Sequence, residues 1–224
     1  MLNILFAIIP SIIFIGLFLF LNKNLTKKKI IKYIIILIIG SIGSYICYRL
    51  EMHYGSYFKK VKDSTYLEVL FYAIFGVAIF EEGYKWFVPT IITIKEKMIS
   101  AFDLLSYYVF SSIGFALSEN VIFYAIPYGL STSIRRMFTA FPSHICDALC
   151  MSLFMYLFTN NKGIKKYIFF CFSLIVPIFV HALYNSFLYG KDSSLLIYHY
   201  IYCVILYIIS IIILIYFYRK QKVD

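Results

Sequence analysis

The sequence predicts an all-α integral membrane protein, with about seven transmembrane helices in one bundle, and three observations predict it. Of the 224 residues, 62% are hydrophobic and only 14% are charged. Soluble domains run at roughly 45–50% and 25%, so this chain has too few charges to face water on every side. The apolar residues come in runs of about 20, the length at which a helix crosses a bilayer. The runs lack the ten-residue alternation of a membrane barrel, and the helix is the other structure that satisfies every backbone group in lipid.

The first span is Leu2–Leu21. No basic residue precedes its apolar run and no small-residue cleavage site follows, so it reads as a retained span and not as a secretory signal peptide. The others are Ile30–Leu50, Tyr66–Thr90, Ala101–Ile126, Met137–Phe158, Tyr167–Tyr189 and Leu195–Tyr218. Between them lie short polar connectors: Asn22–Lys29, Glu51–Thr65, Lys95–Ser100, Pro127–Arg136, Asn160–Lys166 and Gly190–Ser194. The abundant Ile and Val do not oppose helix, because lipid leaves the backbone no partner but itself. Tyr54, Tyr57, Tyr107, Tyr108, Tyr198 and Tyr200 fall near predicted span ends, as an interfacial belt requires. Pro142 and Pro177 are places where a span can bend. There is no internal repeat, long linker or second domain, so 1–224 reads as a single polytopic membrane domain.

The net charge of +10 does not point to nucleic acid. The cations form short clusters between apolar runs: Lys27-Lys28-Lys29, Lys59-Lys60, Arg135-Arg136, Lys165-Lys166 and Arg219-Lys220. Such clusters suit loops resting on anionic head groups of a lipid bilayer. With seven spans, thirteen Lys and Arg fall on the side of the C-terminal tail and six on the other, leaving out Arg49 and Lys85 within spans. The richer side should be cytoplasmic, which places the N-terminus outside and the C-terminus in the cytoplasm. Cys47, Cys146, Cys150, Cys171 and Cys203 lack zinc-finger or redox spacing and read as small core residues.

Function is most visible where residues are most costly. A charge at mid-bilayer costs on the order of 2.5–3.5 kcal/mol on insertion scales. Four of the 11 acids, Glu81, Glu82, Glu119 and Asp147, nevertheless fall inside predicted spans, as do His144 and His181. In Phe80-Glu81-Glu82-Gly83-Tyr84-Lys85, the i, i+4 spacing pairs Glu81 with Lys85 and turns Glu82 about 100° away, toward another helix. Two carboxylates side by side in a low dielectric suit acid–base work; a structural ion pair is the bland alternative. Glu119-Asn120 brings a third carboxylate with an amide beside it and Tyr124 five residues on, while Gly114 and Ala116 allow close backbone approach. His144 and Asp147 are three apart, so the aspartate can fix the histidine's tautomer. His181 and Asn185 are one turn apart. Converging on one wet pocket, these groups support hydrolysis, a glutamate taking a proton from water and a histidine or amide stabilising the oxyanion. Glu82, His144 and His181 could instead hold one divalent metal, zinc by ligand type, although the HExxH motif is absent.

Taken in order, Glu81-Glu82-x-x-Lys85, the Phe115-to-Tyr124 block with Glu119-Asn120, His144 in its Pro-x-His context and His181-x-x-x-Asn185 resemble the four motifs of PrsW-type intramembrane proteases, a group related to the type II CAAX prenyl proteases and the bacteriocin-immunity proteases. The likeness covers about residues 80–185, a catalytic core on four helices. It implies a membrane endopeptidase of a bacterial-type cell membrane, acting on a membrane-anchored protein such as an anti-sigma factor. It also implies that Glu81 and Glu82 are the water-activating pair, His144 and His181 the second half of the site, and Asn185 an oxyanion donor. Lys85 follows the glutamates after two residues, where CAAX proteases carry Arg after three, which favours the PrsW type. Two other classes use the same buried acids: a transporter or proton relay, which predicts flux without peptide products, and an inactive immunity or scaffold protein, which predicts tolerance of Glu82→Gln.

Overall fold

The computed structural model describes residues 1–55, 65–96, 99–190 and 193–220, and all the secondary structure described is helical. Helix α1 is Leu2–Leu21 and α2 is Lys27–Gly55. Helix α3 (Tyr66–Tyr72) opens with a capping box at Thr65 and Glu68, then runs through a π-helical stretch, Ala73–Ala78, into α4 (Ile79–Lys95). Helix α5 (Ala101–Ser118), capped by Ser100, passes through a second π-helical stretch, Glu119–Ala125, into α6 (Ile126–Phe138). Helices α7 (Ala140–Asn160), α8 (Gly163–Tyr189) and α9 (Ser193–Lys220) complete the bundle.

Each of the seven predicted spans falls on this helical framework. Five helical stretches among the described residues are long and apolar enough to cross a membrane: Leu2–Leu21, Lys27–Tyr54, Ala101–Asn160, Gly163–Tyr189 and Ser194–Lys220. The stretch 101–160 holds two of the predicted spans, on α5 and α7. The helix at 66–95 is not among the five, because Glu68, Glu81, Glu82, Lys85 and Lys95 make it more charged than those. Pro127–Arg136, read as a connector, is instead most of α6, which starts on a proline in its first turn and is interrupted at Gly129 (φ 77). Beyond that break, fourfold spacing turns Leu130, Ile134 and Phe138 outward, while Ser133 and Arg136 face inward. Helix α2 also outruns its predicted span, so Glu51 is helical and not part of a loop.

Helix α5 is the axis of the bundle. Every residue from Ala101 to Ala116 is buried, and α1, α2, α4, α7 and α9 pack around it. A helix apolar on all sides fits only such a place. Its tightest neighbour is α2. A side chain at Gly40 would strike the Ser111 carbonyl, and one at Gly114 the Leu37 carbonyl, so the two backbones meet through their glycines as small residues allow in membranes. Ser41 Oγ bridges the seam, donating to the Leu37 and Gly114 carbonyls at 3.1 and 3.0 Å. Helix α4 is tied to α5 by the Thr90 and Tyr108 hydroxyls (2.8 Å) and by Ser111 Oγ donating to the Lys85 carbonyl (3.0 Å), and to α8 by Trp86 Nε1 donating to Ser173 Oγ (2.8 Å).

The beginning of α5 is pinned by Asp103. Its Oδ1 accepts from Tyr33 (2.6 Å) and Asn22 (3.2 Å), and its Oδ2 meets Lys29 (2.6 Å) and Ser100 (2.7 Å). The outer helices show large apolar side chains, such as Ile12 and Ile13 on α1 and Ile211 and Ile212 on α9, to the surroundings, as lipid contact requires.

Several sequence expectations change. Tyr54, Tyr198 and Tyr200 are exposed, but Tyr107 and Tyr108 are core residues of α5. Four cysteines are buried; Cys171 is exposed on α8 and is no core residue. Pro142 lies in the first turn of α7, where its missing N–H disrupts no helical bond, so it starts that helix and does not bend it. Tyr57, and Lys59, Lys60, Lys62, Lys97, Lys191 and Lys222 from the charge count, lie outside the described residues.

Candidate active site

The π-helical stretch Ala73–Ala78 ends just before the two glutamates, which occupy the first turn of α4. Neighbouring helical residues diverge by about 100°, and the pair separates accordingly. Glu81 lines a cavity of about 180 Å³, whereas Glu82, wholly buried, lies behind that wall. Lys85 pairs more closely with Glu82 than with Glu81: Nζ is 2.5 Å from Glu82 Oε1 and 4.0 Å from Glu81 Oε2. This corrects the expected i, i+4 pair. The i, i+3 position is equally within reach, and Lys85 also bonds His144 Nδ1 at 3.0 Å, which pulls it away from Glu81. Its ammonium lies over the Phe115 ring, 4.9 Å from the centroid.

The two imidazoles are held from opposite sides and meet edge to face, 5.5 Å between centroids. His144 Nδ1 faces the lysine, a donor, so Nε2 carries the proton and donates to Glu119 Oε2 at 2.8 Å. His181 Nδ1 hydrogen-bonds Glu82 Oε1, and its Nε2 lies 3.7 Å from Glu81 Oε2. Asp147, expected beside His144, turns to His181 instead, with Oδ2 3.5 Å from Nδ1. The i, i+3 spacing put it on the correct face of α7, but His144 already has both nitrogens engaged. Asn185, one turn after His181, is buried and lines the cavity.

The second π-helical stretch begins at Glu119 and carries Asn120 and Tyr124, a type of irregularity common at functional sites. Arg136, on α6, binds all three: Nη2 is 2.9 Å from Glu119 Oε2, Nε donates to Asn120 Oδ1 at 2.6 Å, and the guanidinium stacks 3.5 Å from the Tyr124 centroid. Arg136 is the residue that sequence reading missed. The sequence puts it with Arg135 in a loop against head groups, yet it is buried. The available signal was the buried carboxylate itself, which needs a cation, and a guanidinium offers a planar fork that an ammonium lacks. Glu51 is the second omission, because the span was ended one residue too early. Its side chain lines the same cavity.

All ten predicted site residues thus gather around one cavity, with Glu82, Lys85, Asn120 and Asp147 behind its wall. Several oxygens there have no hydrogen-bond partner: Glu81 Oε2, Glu82 Oε2, Ser143 Oγ and both of Asp147. Buried carboxylate oxygens are costly to leave bare, so the site is built to meet something further. Glu81, Glu82, His144 and His181 bring four ligand atoms within 4.8 Å of one another, a grouping that could hold a metal ion. Cys146 and Cys150 pack in the apolar core and take no part.

Comparison with known proteins identifies the family. The family described as PrsW family intramembrane metalloprotease matches residues 28–214. Protease PrsW of Clostridioides difficile is 28% identical over 217 residues, covering 94% of this chain and 85% of that protein. Protease PrsW of Oceanobacillus iheyensis is 29% identical over 136 residues, 60% of each chain, and that of Halalkalibacterium halodurans 30% identical over 111 residues, 49% of this chain and 50% of its own. No solved structure matches at the same stringency.

Proposed function

This chain belongs to the PrsW family of intramembrane metalloproteases, and within that family we propose that it cuts a membrane-anchored protein by activating water with Glu81. The observation that carries the assignment is the difference between the two glutamates. Glu81 lines the cavity, whereas Glu82 is sealed behind it; each leaves its Oε2 without a hydrogen bond, but Glu82 commits Oε1 to both Lys85 and His181. A base needs access and a free lone pair; an orienting group needs neither.

In this reading Glu81 takes a proton from water as the water oxygen bonds to the scissile carbonyl carbon. Asn185 donates to the resulting oxyanion, and the C–N bond breaks as Glu81 returns the proton to the leaving nitrogen. Glu82 and Asp147 hold His181, while Lys85 and Glu119 hold His144, so the imidazole walls of the cavity keep their place without loop support. A divalent cation such as zinc suits the unbonded Glu81 Oε2 and Glu82 Oε2 together with the His181 imidazole. His144 would join them only by giving up one of its two hydrogen bonds, to Lys85 or to Glu119. Bound there, such an ion would polarise the scissile carbonyl.

The membrane side follows from the charge count. With Arg136 buried, the side opposite the C-terminal tail holds five loop cations against thirteen, which strengthens the reading of an outer N-terminus and a cytoplasmic C-terminus. The test is co-expression with a membrane-anchored anti-sigma factor as candidate substrate. Glu81→Gln is expected to lower cleavage by about 10²–10⁴-fold, the range for losing a general base, while the protein still inserts. Full cleavage by Glu81→Gln would overturn the assignment.

A further inference from the structure

The cavity has a second acid that the chemistry above does not use. Glu51, in the last turn of α2, lines it together with Tyr48, Phe123, Tyr124, Tyr128 and Tyr189. The Glu51 carboxyl is near enough to Glu81 to interact with it, and no cation pairs with Glu51 among the described residues. The two basic side chains nearest the site are already engaged, Lys85 by Glu82 and Arg136 by Glu119. The cavity therefore offers one carboxylate, that of Glu51, with no ion pair among the described residues, beside Glu81, whose contact with Lys85 is long at 4.0 Å and whose Oε2 makes no hydrogen bond. Aromatic rings surround them, and ring faces attract cations. At about 180 Å³ the space takes roughly six waters, at about 30 Å³ each, or one long side chain.

We infer that Glu51 is a specificity-determining residue that receives the cationic side chain, Lys or Arg, of a substrate residue flanking the scissile bond. The inference rests on the protease reading and names what that reading leaves open, the feature that selects the substrate. With the orientation proposed here, α2 ends on the outer side of the membrane, where flanks of spans carry few Lys or Arg. A recess for a cation there would discriminate well among single-span proteins.

The experiment uses the full chain in lipid nanodiscs and a set of single-span peptides. Each has a Leu/Ala segment of about 20 residues and a polar outer flank in which one Lys is moved position by position, with Gln or Glu at the same position as controls. Binding and cleavage are both measured, and unfolding temperature is followed for every variant. Wild type should prefer Lys over Gln about tenfold at one register, a ratio that a single charge pair readily supplies. Glu51→Gln should bring that ratio to one, and Glu51→Lys should move the preference to the Glu peptide, with no change in unfolding temperature. The inference is overturned if wild type shows no Lys preference at any register. It also fails if Glu51→Gln keeps that preference or weakens Lys and Gln peptides equally. Peptides bound with the Glu51-dependent preference but never cut would count against the protease reading and leave this inference standing. Peptides cut without any charge preference would do the reverse.

Discussion

The two ends of the axis helix each bury acids among cations and tyrosines, and they treat those acids in opposite ways. At the α5 start, Asp103 has both oxygens filled, by Asn22 and Tyr33 on one and Lys29 and Ser100 on the other. Around its far end, Glu81, Glu82 and Asp147 keep four oxygens bare between them, although Glu119 nearby engages Oε2 with both Arg136 and His144. A completed polar network rigidifies a fold, and an incomplete one destabilises it. The first cluster therefore reads as a clamp for the loop after α1, and the second as a site whose missing partners are water, metal or substrate. Acidity in the membrane is common to both; the distinction lies in satisfaction.

That contrast can be broken by exchanging the two outcomes. The largest effect belongs to Glu81→Gln, expected to remove cleavage by two to four orders of magnitude while the unfolding temperature in detergent stays level or rises. A large fall in that temperature would mean that Glu81 serves the fold. Next comes Arg136→Met, which strips the buried Glu119 of its guanidinium. Breaking a buried pair costs about 3–5 kcal/mol, read as lost thermal stability, and Arg136→Lys should recover only part of it because the contacts to Asn120 and Tyr124 need the planar fork. Asp103→Asn should cost about 1.5–3 kcal/mol, the range for hydrogen bonds to a charged group, with cleavage by the surviving folded protein unchanged. Asp147→Asn is the smallest on stability, within about 1 kcal/mol or stabilising, because it removes a buried acid whose oxygens make no hydrogen bond and whose one ion pair, to His181, is long. It should still lower cleavage about 10–100-fold, as loss of an orienting partner does. Were Asp103→Asn and Asp147→Asn to behave alike, the division into clamp and site would fail.

Much of this was legible in the residues. Long apolar runs can only be helices in lipid, so the seven stretches appear where hydropathy placed them. Acids and imidazoles are too costly in lipid to be scattered at random, so the site residues announced themselves by type. Element ends were less visible. Burial and apolarity stop at the interface but helices do not, and Glu51 lies just past the apolar run. Arg136 was hidden for the same kind of reason, since a basic pair after a proline looks like a loop until α6 is seen to turn one of its two arginines inward.

The sequence by itself determined the class of protein, the helical stretches and the list of polar side chains that lipid would penalise, because hydropathy and helical period act locally along the chain. Only the tertiary structure decided which partners those side chains take: Lys85 with Glu82, Asp147 with His181, Arg136 with Glu119, and Glu81 at the cavity wall beside His181. Spacing fixes a helix face, but which residue meets which across helices depends on how closely the backbones approach, and here that is set by glycines such as Gly40 and Gly114 at the α2–α5 seam.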